Sequence, residues 1–190
     1  MSRDSGQSSD SELVALSLAG EDRAFAEIVR RHRDALFRVA LASLGNADDA
    51  LDAVQDVFVA AHAALRRFDG VRPLRPWLAA IAVNRCRDLA RRRRVRRFLA
   101  FALPIDGAVE TIALDVPSAE AAAADREELD RTVKAIAALP AALREPLVLH
   151  TLSGLSQAET AATLAISEKA VETRLRRARQ QLRAALGTTG

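Results

Sequence analysis

Three sets of residues in this chain are of a type that could do chemistry, and spacing sorts them. Asp49, Asp52 and Asp56 lie three, four and seven positions apart, so on a helix their carboxylates share one face. Paired carboxylates can work as general acid and base, but that requires a pocket, and an outward helix face offers none. Crowded like charges cost stability, so a basic partner suits this face better. Val59, placed beside the acids, fits a protein surface better than a solvent surface; a merely solvated acidic face is the alternative. Cys86, His32, His62 and His150 form the second set. They lack the spacing of zinc ligands, and no metal site is expected. The third set is basic. Arg91-Arg92-Arg93-Arg94-Val95-Arg96-Arg97 is a run whose mutual repulsion a polyanion would relieve, and Lys169, Thr173, Arg176, Arg177 and Gln180 share one face of a C-terminal helix. There is no glycine-rich phosphate loop and no Ser/His/Asp pattern, so neither an enzyme nor a cofactor is expected.

The charge distribution sharpens this. Residues 1–98 carry 18 Lys and Arg against 13 Asp and Glu, and residues 126–190 carry ten against seven. Between them, residues 99–125 hold five acids and no base. Two basic blocks on either side of an acidic spacer suggest two nucleic-acid contacts. A single cysteine excludes an internal disulfide and points to a reducing compartment, hence a cytoplasmic location. No 18-residue apolar run is present, and the first ten residues lack an apolar signal segment.

The elements that must position these residues are all helices. Strand signals are missing, with little alternation and no Tyr. Residues 11–19 read as a short helix stopped by Gly20. Asp22 can cap the next, in which Phe25, Ile28, Val29, His32, Leu36 and Val39 recur at helical spacing up to Gly45. Asn46 starts a third helix, with Leu51, Val54, Phe58, Ala61 and Leu65 as its core seam and the acids opposite, beside Ala53, Val59 and Ala60. A loop over residues 67–76 follows, marked by Gly70, Pro73 and Pro76, with Pro76 suited to a first helical turn. The helix after it buries Leu78, Ile81, Ala82 and Leu89 and sets Asn84, Arg87, Arg91 and Arg94 on another face. Residues 99–125 lose periodicity and read as a linker. Then come helices bearing Leu129, Val133, Ile136 and Leu139 up to Pro140, and Leu143, Leu147, Val148 and Leu152, with Pro146 either kinking the second or marking its late start. Ser156 with Glu159 forms a capping box, and Ser167, eleven residues on, is a second N-cap. Leu164-Ala165-Ile166 leaves room only for a tight turn. The last helix has Val171, Leu175, Ala178 and Leu182 on one stripe and the basic face opposite. That pattern is a helix-turn-helix, with an ordinary amphipathic hairpin as the alternative. The expected division is 1–98, a linker over 99–125, and 126–190: all-α, two small helical domains.

At this point the motifs resemble a known family. Leu139-Pro140-x-x-x-Arg144-Glu145, Gly154-Leu155-Ser156, Ile166-Ser167 and Val171-x-x-Arg174-Leu175-x-Arg177-Ala178-Arg179 resemble the promoter-reading C-terminal domain of bacterial sigma factors. Asp52-Ala53-Val54-Gln55-Asp56-Val57-Phe58 resembles their polymerase-gripping helix, and Arg75-Pro76-Trp77-Leu78 through Asn84 and Asp88 resembles their minus-ten helix. Order and spacing are similar to the extracytoplasmic-function (ECF) branch over roughly residues 11–186. The resemblance implies a non-enzymatic factor that binds core RNA polymerase and promoter DNA and is held inactive by an anti-sigma factor. It implies that Asp49, Asp52, Gln55, Asp56 and Val59 meet core polymerase. It implies that Arg67, Phe68, Arg72, Arg75, Trp77, Asn84, Arg87, Asp88, Arg91 and Arg94 hold the minus-ten strand, with one base flipped into a pocket. The minus-thirty-five element would meet Ser167, Lys169, Ala170, Glu172, Thr173, Arg174, Arg176 and Arg177. The acidic linker would thread polymerase near its active centre.

The sequence also departs from the family pattern. Ala165 stands where the turn commonly has Gly, and a left-handed conformation is costlier there. Glu172 stands where a basic residue is frequent; it can accept from cytosine N4 but repels phosphate. Aromatic residues near the minus-ten helix are limited to Phe68, Trp77 and Phe98, so strand opening should be weak and the promoter stringent. Two other functions remain open on the residues alone. A helix-turn-helix regulator would explain residues 153–186 but not the Asp52/Gln55/Asp56 helix. A sigma mimic that sequesters an anti-sigma factor would have little need of Arg91–Arg94.

Overall fold

A computed structural model describes residues 8–102 and 120–187, with side chains for all but 97, 98, 100–102 and 120–124. Most of the acidic linker, and the side chain of Phe98, lie outside the described residues. Among those described there is no strand. The order is α1 (Asp10–Leu18), α2 (Asp22–Leu44), α3 (Ala47–Ala64), a 3-10 turn (Leu65–Arg67), α4 (Leu74–Ala102), α5 (Glu120–Ala138), α6 (Ala141–Thr151), α7 (Gln157–Leu164) and α8 (Glu168–Leu186).

Local chemistry explains most boundaries. Ser9 opens α1 with a capping box: its hydroxyl accepts from the Glu12 N–H at 3.2 Å, and the Glu12 carboxylate accepts from the Ser9 N–H at 2.7 Å. Asp22 does not cap α2. It is the first helical residue, and Glu21 holds the cap position without a side-chain bond. Gly45, at φ 81°, ends α2 in the left-handed conformation that only glycine adopts freely. Asn46 then caps α3 by accepting from the Asp49 N–H at 2.9 Å. Pro140 separates α5 from α6, while Pro146 sits inside α6, which is continuous from Ala141.

Helices α1–α4 close on one core. Leu13, Ile28, Val39, Val57 and Leu78 are all but fully buried in it, each worth about 1.5–3 kcal/mol on burial. The α3 seam differs from the expected one. Ala50, Ala53, Val54, Val57, Phe58 and Ala61 face inward, whereas Leu51 is 53% exposed. The alanines let α3 lie close to α2 and α4. Val54, Phe58, Ala61 and Leu65 are buried as expected; small residues weigh little in a hydrophobic pattern, and so Ala50 and Ala53 take the place expected for Leu51. Leu129 is likewise exposed on α5 instead of buried.

Helices α5–α8 form the second unit around Leu139, Leu143, Leu147, Val171, Leu175 and Ala178. The two units are packed together. Val148 of α6 is buried in the first core, and Ala79 and Val83 of α4 share a third cluster with Leu149, Leu155 and Leu164.

Candidate functional site

The α3 face is built by elimination. With its alanine and valine stripe buried, the helix presents Asp52, Gln55, Asp56 and Val59 outward, all exposed, with Val59 at 70%. Asp48 and Leu51, the latter expected in the core seam, are exposed and extend this face. Asp49 stands apart from it. Its carboxylate is partly buried, accepts from the Asn46 side-chain amide and pairs with Arg93 of α4. It is tied into the scaffold because a residue three positions after an N-cap points back along the helix start.

The second surface comprises the loop before α4 and the outer face of α4. Arg67 is exposed at the end of the 3-10 turn. The loop is a tight turn: the Arg72 N–H donates to the Asp69 carbonyl at 2.9 Å, and the Val71 N–H to the Asp69 carboxylate at 3.2 Å. Val71 at its tip is 94% exposed. Phe68 and Trp77 stack at 4.9 Å with a 47° tilt, fixing both rings at the loop's base. Pro76 falls in the first turn of α4, as its missing N–H favours. Asn84, Arg87, Asp88, Arg91 and Arg94 are exposed along α4. Arg87 is already engaged: Nε and Nη2 donate to the two oxygens of Glu145 at 2.6 and 2.5 Å, and Nη1 to Asn84 Oδ1 at 3.2 Å. The Glu145 carboxylate raises the Arg87 pKa further.

The third surface is the helix-turn-helix. Ser156 and Glu159 make the expected capping box, at 3.1 Å to the Glu159 N–H and 2.8 Å from the Ser156 N–H. Those bonds hold the Glu159 carboxyl below its ordinary pKa. Ala165 takes φ 53°, ψ 46°, the left-handed turn in spite of its side chain. Ser167 caps α8 by accepting from the Ala170 N–H at 3.2 Å. Val171, Leu175 and Ala178 are buried beneath α8. Lys169, Glu172, Arg176 and Arg177 are exposed, while Ala170, Thr173 and Arg174 are half-buried at the edges. The Thr173 hydroxyl donates to the Lys169 carbonyl at 2.9 Å, and Lys169 Nζ donates to Glu172 at 2.9 Å, lowering the Glu172 pKa. One acidic face and two basic faces therefore sit on a single helical scaffold.

The family profile of sigma-70 region 2 matches residues 28–96, and that of sigma-70 region 4 matches residues 129–182. The chain is 43% identical to the RNA polymerase sigma factor CnrH of Cupriavidus metallidurans across 95% of each protein. It is 34% identical to the ECF RNA polymerase sigma factor SigM of Mycobacterium tuberculosis, across 94% of this chain and 85% of that one. The chain belongs to the ECF sigma factors. This sigma factor is accordingly an initiation factor and not an enzyme: it binds core RNA polymerase and directs it to promoter DNA. The solved structure of CnrH in complex with the cytosolic domain of CnrY has a similar fold, with a TM-score of 0.71 at 36% identity over 95% of this chain and 99% of that one. Among the described residues of this sigma factor, no helix is long and apolar enough to cross a membrane. Region 2 ends within α4, and the matched part of region 4 begins within α5. Glu145 joins the two regions through Arg87; it closes the Leu139-to-Glu145 motif, and nothing local in the sequence identifies Arg87 as its partner.

Proposed function

We propose that the α3 face of Asp52, Gln55, Asp56 and Val59 docks on a basic surface of core RNA polymerase, with Asp49 supporting that face from behind through Asn46 and Arg93. The observation that carries this is the separation of signs. The outward face of α3 carries Asp48, Asp52 and Asp56 and no Lys or Arg, while α4 and α8 each expose more bases than acids, so one scaffold can grip a basic protein and an acidic polymer at once.

The minus-ten strand is held by the loop and α4. Arg67, Arg72, Arg75, Arg87, Arg91 and Arg94 supply cations, Phe68 and Trp77 supply ring faces, and Asn84 and Asp88 supply polar contacts. Stacking on such rings compensates a base for leaving the duplex. The minus-thirty-five element lies against α8. Ser167, Lys169, Ala170, Glu172 and Thr173 sit near the end that enters the major groove, and Arg174, Arg176 and Arg177 lie toward the phosphates. The domains run 1–98 and 126–190, with 99–125 between them. The factor works in the cytoplasm under an anti-sigma factor. The CnrH structure supports that reading, since its partner is the cytosolic domain of CnrY.

Run-off transcription on genomic fragments tests the assignment. Start-site-specific transcripts should require both this protein and core polymerase. Tight binding to duplex DNA with no effect on core polymerase would refute it.

A further inference from the structure

The contact between the two regions covers part of the surface that the promoter strand would need. Three features coincide there. Arg87 spends two donors on Glu145; the glutamate side chain is 10% exposed and that of the arginine 48%. Beside this pair, Ala79 and Val83 of α4 are buried against Leu149 and Leu155. At the other end, Arg75 lies over Gly154 so closely that a Cβ there would sit 2.7 Å from Nη2. Arg72, Pro73, Pro76, Trp77 and Ala80 face Glu159, Ala162 and Thr163 across a cleft of about 400 Å³.

This arrangement cannot persist on a promoter. Elements centred near minus ten and minus thirty-five are roughly 25 base pairs apart, about 85 Å of duplex at 3.4 Å per step. A folded chain of this length has a radius of gyration of about 16 Å and spans roughly 40 Å. The α4 face and α8 reach both elements only after the regions separate.

We infer that Glu145 is an internal stand-in for a DNA phosphate: its carboxylate clamps Arg87, and with the Ala79/Val83–Leu149/Leu155 seam it holds the free protein closed and inactive. The fit is chemical. A carboxylate and a phosphate present the same pair of acceptors to a guanidinium fork. Occupation of Arg87 by Glu145 and by the promoter strand are mutually exclusive. Closure lowers the apparent affinity for core polymerase by the fraction of molecules that are open. The inference rests on assigning the α4 face to the promoter, so its first test uses neither DNA nor polymerase.

The full chain is labelled with a dye pair at Ala15→Cys and Gln181→Cys, both exposed, while Cys86 is buried. The free protein should give one short-distance population. Glu145→Gln, which removes the charge and keeps the shape, should add a long-distance population. Arg87→Glu, which sets two acids face to face, should do the same, and it covers the case in which Glu145→Gln folds poorly. Glu145→Gln should also raise the apparent affinity for core polymerase roughly three- to tenfold. If both variants keep the short distance with a normal helical spectrum, the latch does not exist. If the distance lengthens and polymerase affinity stays at the wild-type value, the contact is structural and the inhibitory role fails. If the distance lengthens and affinity rises while run-off transcription fails, the latch stands and the promoter assignment falls.

Discussion

Ala165→Gly should stabilise the protein, and the expected size follows from the turn. Ala165 is the one non-glycine residue with positive φ among those described, at φ 53° and ψ 46°. An L-residue in that conformation is strained by about 1–2 kcal/mol, because its Cβ crowds the next carbonyl. Its methyl group is exposed, so removing it sacrifices little burial. Against the relieved strain stands the greater freedom of glycine in the unfolded chain, about 0.5–1 kcal/mol. The net gain is then about 0.5–1 kcal/mol, or about 1–4 °C in Tm for a domain of this size. Ala162→Gly provides the control. It is the same chemical change at another exposed position, three residues earlier and inside α7. There glycine has no strain to relieve and should cost about 1 kcal/mol. Thermal melts of both variants followed by helical circular dichroism should move in opposite directions. If both fall equally, the turn at Ala165 is not left-handed in solution.

Four further outcomes are expected. Asp52→Arg with Asp56→Arg should weaken core polymerase binding by several kcal/mol, the order of like charges facing across an interface, with an unchanged melting temperature; unaltered affinity in a pull-down titration would remove α3 from the interface. Lys169→Ala or Glu172→Ala should shift preference at a single minus-thirty-five base by about 1–3 kcal/mol, whereas Arg177→Ala should weaken all sequences alike and lower the salt slope by about one, as read from single-base promoter variants at several salt concentrations. Gly45→Ala should destabilise by more than the roughly 1 kcal/mol of left-handed strain, because its Cβ would meet the Ala137 Cβ at 3.0 Å; a loss no larger than that strain in denaturant melts would mean that α2 and α5 are not in contact. Glu159 has a depressed pKa, chiefly through the Ser156 N–H, so its contribution is complete above the unfolded carboxylate range and lost as pH falls through the lower folded value; Glu159→Ala should therefore cost stability at neutral pH and nothing in strong acid.

Much of this molecule was legible in the sequence, for reasons that are local. The capping box at Ser156, the caps at Asn46 and Ser167, and the stop at Gly45 depend on residues within four positions of one another. So does the α8 stripe. What was not legible depends on size or distance. Of the expected α3 seam, Val54, Phe58, Ala61 and Leu65 are buried; Leu51 is exposed despite being large, and Ala50 and Ala53 are buried for being small. The cap at Ser9 follows the same S-x-x-E rule as Ser156 but lies before an element with only two buried residues, Leu13 and Val14, so no strong periodicity drew attention to it. The engagement of Asp49 with Arg93 and of Arg87 with Glu145 joins residues 44 and 58 positions apart, beyond any local pattern.

The charge pattern itself explains why these long-range pairs arise where they do. An arginine placed to meet a polyanion cannot be surrounded by partners, or it would lose its function. In the absence of DNA it is an unneutralised cation on a crowded basic helix, and a carboxylate brought near it by other forces will be held. Apolar packing of Ala79 and Val83 on Leu149 and Leu155 brings α6 to α4; the position of Glu145 within α6 then decides whether that contact is neutral or selective. Because its side chain is 10% exposed against 48% for Arg87, the glutamate loses more hydration on closing than the arginine does. A buried acid left without its partner is costly. Opening the two regions rehydrates both charges but breaks their pairing and exposes the apolar seam, so the ion pair and the seam oppose separation together. On the proposed assignment, promoter DNA would neutralise that arginine anew. On the reading proposed above, core polymerase binds the open fraction, and its contacts offset the exposed seam and draw the closed molecules open.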